Sequence, residues 1–131
     1  MNCAVRYYSR SGNTKIVAES IADALGVQAL STDDVNSAIS QPVDVLFIGG
    51  ALYAYGIDDH LKEYIGTLTK DNVKKAVIFS TSWISKHAID LIRDGLEKQG
   101  IPVAADYLHF RGKPSAKNRE EAHRFAKQNA R

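Results

Sequence analysis

The chain has 131 residues, 44% hydrophobic and 24% charged, with a net charge of +2 and one cysteine, Cys3. This describes one compact domain, 1–131, with a single core; it leaves no room for a second domain and excludes an internal disulfide. The longest apolar run, Val45 to Ile57, is broken by glycines and falls short of the ~20 residues a bilayer span needs, and no signal pattern precedes the first apolar run, so a soluble protein in a reducing, cytoplasmic setting is expected.

Cys3 to Tyr8 is short, apolar and rich in β-formers, which predicts a first strand. Ser9-Arg10-Ser11-Gly12-Asn13-Thr14 follows, and then a helical pattern with Val17, Ile21, Ala24 and Leu25 on one face, ended by Gly26. Val27 to Leu30 reads as a short second strand. The polar stretch Ser31 to Gln41, closed by Pro42, reads as part turn and part short helix. Val43 to Ile48 is a nearly continuous apolar run ending at Gly49-Gly50, as expected for a strand buried on both faces. Asp58 or Asp59 can cap a helix carrying Leu61, Ile65 and Leu68, and Lys74 to Ser80 is a fourth strand. Lys86 to Gln99 has Ala88, Ile89, Ile92 and Leu96 on one helical face, Ile101 to Arg111 is a fifth strand, and Ser115 to Ala130 is a closing helix. Alternating strands and helices of these lengths imply right-handed βαβ units: an α/β fold with a parallel sheet covered on both faces.

In such sheets a ligand lies beyond the carboxyl ends of the strands, where the strand order reverses. Three loops meet that description: Ser9 to Thr14, Gly49 to Ile57 and Ser80 to Lys86. The first brings hydroxyl and amide side chains, a glycine and the free N–H groups of a helix start to one point, which suits a phosphate; an ordinary capping run is the plainer reading. The other two carry Tyr53 and Tyr55, and Thr81, Ser82 and Trp83. A ligand with a phosphate at one end and a flat ring at the other satisfies all three loops.

The run Val5 to Ile21, with Tyr7, Ser9, Gly12, Thr14, Ala18 and Ile21 in register, resembles the flavodoxin signature. The resemblance implies a flavodoxin-like three-layer sandwich with a five-stranded parallel sheet of order 2-1-3-4-5, and FMN at the strand tips. Carried over by position, Ser9, Arg10, Ser11, Gly12, Asn13 and Thr14 would hold the FMN phosphate, with Arg10 adding positive charge. Ala51, Leu52, Tyr53, Ala54, Tyr55 and Gly56 would line one side of the isoalloxazine, and Thr81, Ser82 and Trp83 the other; Tyr53, Tyr55 and Trp83 are the candidates to stack on it. The resemblance further implies an electron carrier, monomeric, that shuttles between redox protein partners, a reductase donor and an acceptor enzyme, through the flavin semiquinone and hydroquinone. An FMN-dependent NAD(P)H:quinone-type reductase, an enzyme resembling the flavodoxin-like protoporphyrinogen oxidases, and a flavin-free interaction module are the alternatives. The short-chain type is indicated because nothing interrupts the fifth strand.

Two features depart from that pattern. Arg6 places a charge in the central strand, with Asp44 as its expected partner. The chain is basic, with a pI of about 8.7, and its third loop lacks carboxylates, so added electrons on the flavin should be less disfavoured than in acidic relatives. The basic residues from Arg111 to Arg131 lack a recognition motif or interleaved aromatics, so no nucleic-acid role is expected. The four histidines, His60, His87, His109 and His123, lack metal-ligand spacing. Cys3 and Arg10 stand one residue too far apart for a small-phosphatase loop, and the tips of the first and third strands lack the acids of a receiver domain.

Overall fold

A computed structural model describes residues 2–53, 56–82 and 85–130. Strand formation follows the β-branched and aromatic runs: β1 is Cys3–Tyr7, β2 Ala29–Ser31, β3 Val45–Gly50, β4 Ala76–Thr81 and β5 Val103–Phe110. All pair in parallel, in the order β2-β1-β3-β4-β5. The helices are α1 (Asn13–Leu25), α2 (Asp59–Gly66), α3 (His87–Lys98) and α4 (Ala116–Asn129). Successive strand residues point to opposite faces. Val45, Phe47, Val77 and Phe79 therefore pack with Val17, Ile21 and Phe125 under α1 and α4, while Leu46, Ile48 and Ile78 pack with Leu61, Ile65, Ile92 and Leu96 under α2 and α3. Each fully buried Leu, Ile or Phe contributes about 1.5–3 kcal/mol, so β3 and β4, buried throughout, anchor the sheet.

The segment between β2 and β3 departs from the sequence reading. Residues 32–42 form turns and bends and no helix, because Asp34 and Asn36 satisfy their amides through local bonds, Asp34 N–H to the Ser31 carbonyl at 2.9 Å and Asn36 N–H to Asp34 Oδ1 at 2.8 Å. Asp44 does not pair with Arg6 either: it accepts from Lys74 Nζ at 3.3 Å and from Asn2 N–H at 2.9 Å. Arg6 turns instead under the link, with Nε donating to the Ser37 carbonyl at 2.7 Å. Cys3 is half-buried, and burial is the chief cause of its raised thiol pKa.

The two glycines ending β3 set how closely its neighbours approach. A Cβ on Gly49 would overlap the Phe79 ring and come within 2.6 Å of the Phe79 carbonyl oxygen; one on Gly50 would overlap Leu61 Cδ2. The chain thus leaves the sheet at position 51 with α2 and the β4 side chains drawn tightly around the exit. No helix among the described residues is long and apolar enough to cross a membrane.

Candidate functional site

Strand order reverses between β1 and β3, whose carboxyl ends lead into the loops at residues 8–12 and 51–58, with the loop after β4 beside them. Each pair of these loops is joined by a side-chain bond. Arg10 in the first reaches Asp58 at the end of the second, Nε to Oδ2 at 3.0 Å with Nη2 closing on the same oxygen. Thr14, at the start of α1, shares a 2.6 Å bond with the hydroxyl of Thr81 at the end of β4, and both are buried. Leu52 N–H donates to Ser82 Oγ at 3.0 Å, tying the second loop to the third. Hydroxyl-to-hydroxyl and amide-to-hydroxyl bonds of this kind fix loop spacing at about 0.5–1.5 kcal/mol each.

The first loop is built to receive an anion. Gly12 sits at the N-cap of α1 with φ +93°, a backbone conformation that side-chain-bearing residues rarely adopt. It has no side chain to cap the helix, whereas α2 is capped by Asp58 and α4 by the Ser115/Asn118 capping box. Ser9 Oγ accepts from Gly12 N–H at 2.9 Å and Ser11 Oγ from Asn13 N–H at 3.3 Å. Helix geometry leaves the N–H groups of Thr14 and Lys15 without carbonyl partners, and no acidic residue stands in the first turn. These residues fit a phosphate: donors converge and the helix dipole favours negative charge.

The second loop holds Tyr53 by reciprocal backbone bonds with Gly56, 2.7 and 3.0 Å, and Gly56 adopts φ +113° to close the turn. The guanidinium of Arg10 lies 4.0 Å from the Tyr53 ring centroid. Asp58 is the hub on this side: Oδ2 meets Arg10, while Oδ1 accepts from the His60 amide at 2.8 Å and lies 2.9 Å from His60 Nδ1. Burial raises the pKa of the Asp58 carboxyl, but the hydrogen bonds from the His60 amide and ring and from Arg10 outweigh it, so the net shift is downward. Tyr8 stacks on the His60 ring at 4.9 Å, completing a chain Tyr8–His60–Asp58–Arg10–Tyr53 along one wall. On the far side, His109 pairs in register with Ser80 at the tip of β5, and burial is the leading cause of its lowered pKa.

Of the residues singled out in the sequence, Ser9, Arg10, Ser11, Gly12, Asn13, Thr14, Ala51, Leu52, Tyr53, Gly56, Thr81 and Ser82 converge on this edge of the sheet, while Ala54, Tyr55 and Trp83 lie outside the described residues. Sequence reading did not count Tyr8, Asp58 or His60 among the cofactor-binding residues. The one local signal was Asp58-x-His60, a spacing that lets a capping carboxylate also meet the imidazole two residues on.

Comparison with known proteins agrees with this geometry. A family model of the flavodoxin domain matches residues 4–127, and the chain belongs to that family. An uncharacterised protein of Methanocaldococcus jannaschii is 26% identical over 98 residues, 72% of this chain; the match spans 65% of that relative's length. A flavodoxin from the domain Archaea superposes with a TM-score of 0.79 at 25% identity, covering 99% of this chain and 96% of that one. Flavodoxin 1 of Bacillus cereus, at 18% identity and 0.78, covers 96% and 95% and shares the fold. So does the rubredoxin oxygen:oxidoreductase of Desulfovibrio gigas, at 15% identity and 0.83, where the likeness covers 98% of this chain and 35% of the larger one. Membership of the flavodoxin family implies a flavin cofactor.

Proposed function

We propose that this chain, as one flavodoxin-like domain, binds FMN and carries electrons between redox proteins. The observation that supports this most is the meeting of an uncapped, acid-free α1 N-terminus with two further loops, each tied to it by a side-chain bond, at the reversal of the strand order. When bound, FMN supplies reversible one- and two-electron chemistry. The chain's residues do the rest. Ser9, Ser11, Asn13 and Thr14 with the α1 amides hold the phosphate, and Gly12 lets the backbone approach it. Tyr53 forms a wall for the flavin ring and excludes water from that face. The Arg10–Asp58 bridge holds the Tyr53 wall in place. The same reading has the protein act as a monomer, taking electrons from a separate reductase and passing them to an acceptor enzyme.

A steady-state assay separates the carrier from an FMN-dependent NAD(P)H reductase. The FMN-loaded protein alone should oxidise NAD(P)H only slowly, with rapid turnover when an electron-donating reductase is added. Rapid oxidation without one would replace the carrier reading with the enzyme.

A further inference from the structure

The helix-free link 32–42 leaves the corner of the sheet at β1 and β2 covered on one face by turns alone. Beneath it lies a cavity of about 300 Å³ of mixed lining, in which Val27, Leu30, Ile39 and Val43 stand with Arg6 and the polar Gln28 and Gln41. Arg6 is 8% exposed. Nε donates to the Ser37 carbonyl at 2.7 Å and Nη1 to the Val5 carbonyl at 3.0 Å, while the Tyr64 hydroxyl donates to that same Ser37 oxygen. The Tyr64 hydroxyl also hydrogen-bonds the Arg6 side chain, and no carboxylate among the described residues lies within ion-pair distance of the guanidinium. An arginine does not shed its charge, and a buried cation held only by neutral carbonyls and a phenol hydroxyl is incompletely compensated. Two independent features therefore coincide: a charge without a counter-charge and a space beside it.

We propose that this cavity binds a small monocarboxylate. Its two oxygens take the remaining N–H groups of Arg6, matching the planar fork of the guanidinium, and its aliphatic or aryl body lies along Val27, Leu30, Ile39 and Val43. Arg6 is the only Lys or Arg lining the cavity, so one negative charge neutralises it. A phosphate would bring a second negative charge with no cation to match it. The volume stands at the small end of ligand pockets, about 300–1,000 Å³, which suits a short acid and not a nucleotide. The site is separate from the strand-tip loops and does not depend on their binding FMN.

The test is a titration of the ¹⁵N-labelled wild-type protein with sodium acetate, butyrate, benzoate and phosphate at constant ionic strength, following the Arg6 Nε–Hε resonance and the Leu30 and Ile39 amides. Saturable shifts are expected with the carboxylates, and butyrate should bind about tenfold tighter than acetate because two more methylenes are buried. Phosphate should bind more weakly than any of them. Arg6→Met should abolish the shifts and Arg6→Lys weaken them, with folding of each checked by circular dichroism. Responses that never saturate, a preference for phosphate, or shifts that survive in Arg6→Met would overturn the proposal. If Arg6→Met fails to fold, the order of the ligands on the wild-type protein decides it alone.

Discussion

Replacing Asp58 by Asn tests the bridge between the first two loops with little other disturbance. Asn still offers Oδ1 to the His60 amide, now at 2.8 Å, and caps helices as well as Asp. What it loses is the Oδ2 oxygen that receives Arg10, replaced by an amide whose N–H groups face donors. Exposed ion pairs contribute about 0.2–1 kcal/mol and breaking buried ones costs about 3–5. Here the carboxylate side chain is 6% exposed and the guanidinium side chain 44%, so an intermediate cost of about 1–2 kcal/mol follows. If the bridge holds Tyr53 in place for the flavin, FMN should bind Asp58→Asn about 5–30-fold more weakly. Arg10→Ala should show a loss of the same size, and the double variant should be no worse than either single one, because both remove the same contact. Quenching of FMN fluorescence on titration of the apoprotein reads all four dissociation constants. Tighter binding by Asp58→Asn would refute the reasoning, since it would mean that Asp58 withholds Arg10 from the phosphate; full additivity would refute it as well.

The end of β3 supplies a contrast between two neighbouring glycines. Gly49→Ala should cost more than ~3 kcal/mol or prevent folding, because the new methyl meets the Phe79 ring and backbone, whereas at Gly50→Ala the obstacle is the flexible end of Leu61 and urea denaturation should show a loss at least ~1 kcal/mol smaller. Equal losses would mean that the Phe79 backbone yields. Stability should also fall in acid through Asp58: its folded pKa is depressed, so the unfolded chain binds the extra proton, and the contribution is complete above about pH 4 and is lost as pH falls through the lowered folded value. Urea midpoints of wild-type protein and Asp58→Asn should therefore converge between neutral pH and about pH 3; a constant gap would remove Asp58 from the acid response.

The strands and helices were legible because each carries its own period. β3 read as a nearly continuous apolar run and β4 as a strand within Lys74 to Ser80, both were found buried throughout, and Leu61, Ile65, Ala88, Ile92 and Leu96 marked the buried faces of α2 and α3 before any contact was known. The signature around Ser9 to Thr14 was equally local, since a phosphate loop is made from consecutive residues. What escaped were contacts between distant positions. Arg10 and Asp58 are 48 residues apart and Arg6 and Ser37 are 31 apart, and no periodicity links such pairs. Arg6 illustrates why: sequence reasoning sought an opposite charge and found Asp44, but the side chain points under a link whose path is set by Asx turns, where a carbonyl is the available acceptor. The absence of a helix in that link was hidden for the same reason, because Asp, Asn and Ser suit turns and helix caps alike.

The central claim, that these three loops hold FMN, is tested most directly by the visible absorption spectrum of the purified protein with and without added FMN. The account expects a yellow protein, or an apoprotein that takes up one equivalent of FMN with quenching of its fluorescence. A colourless protein that leaves the absorption and fluorescence of added FMN unchanged would contradict it.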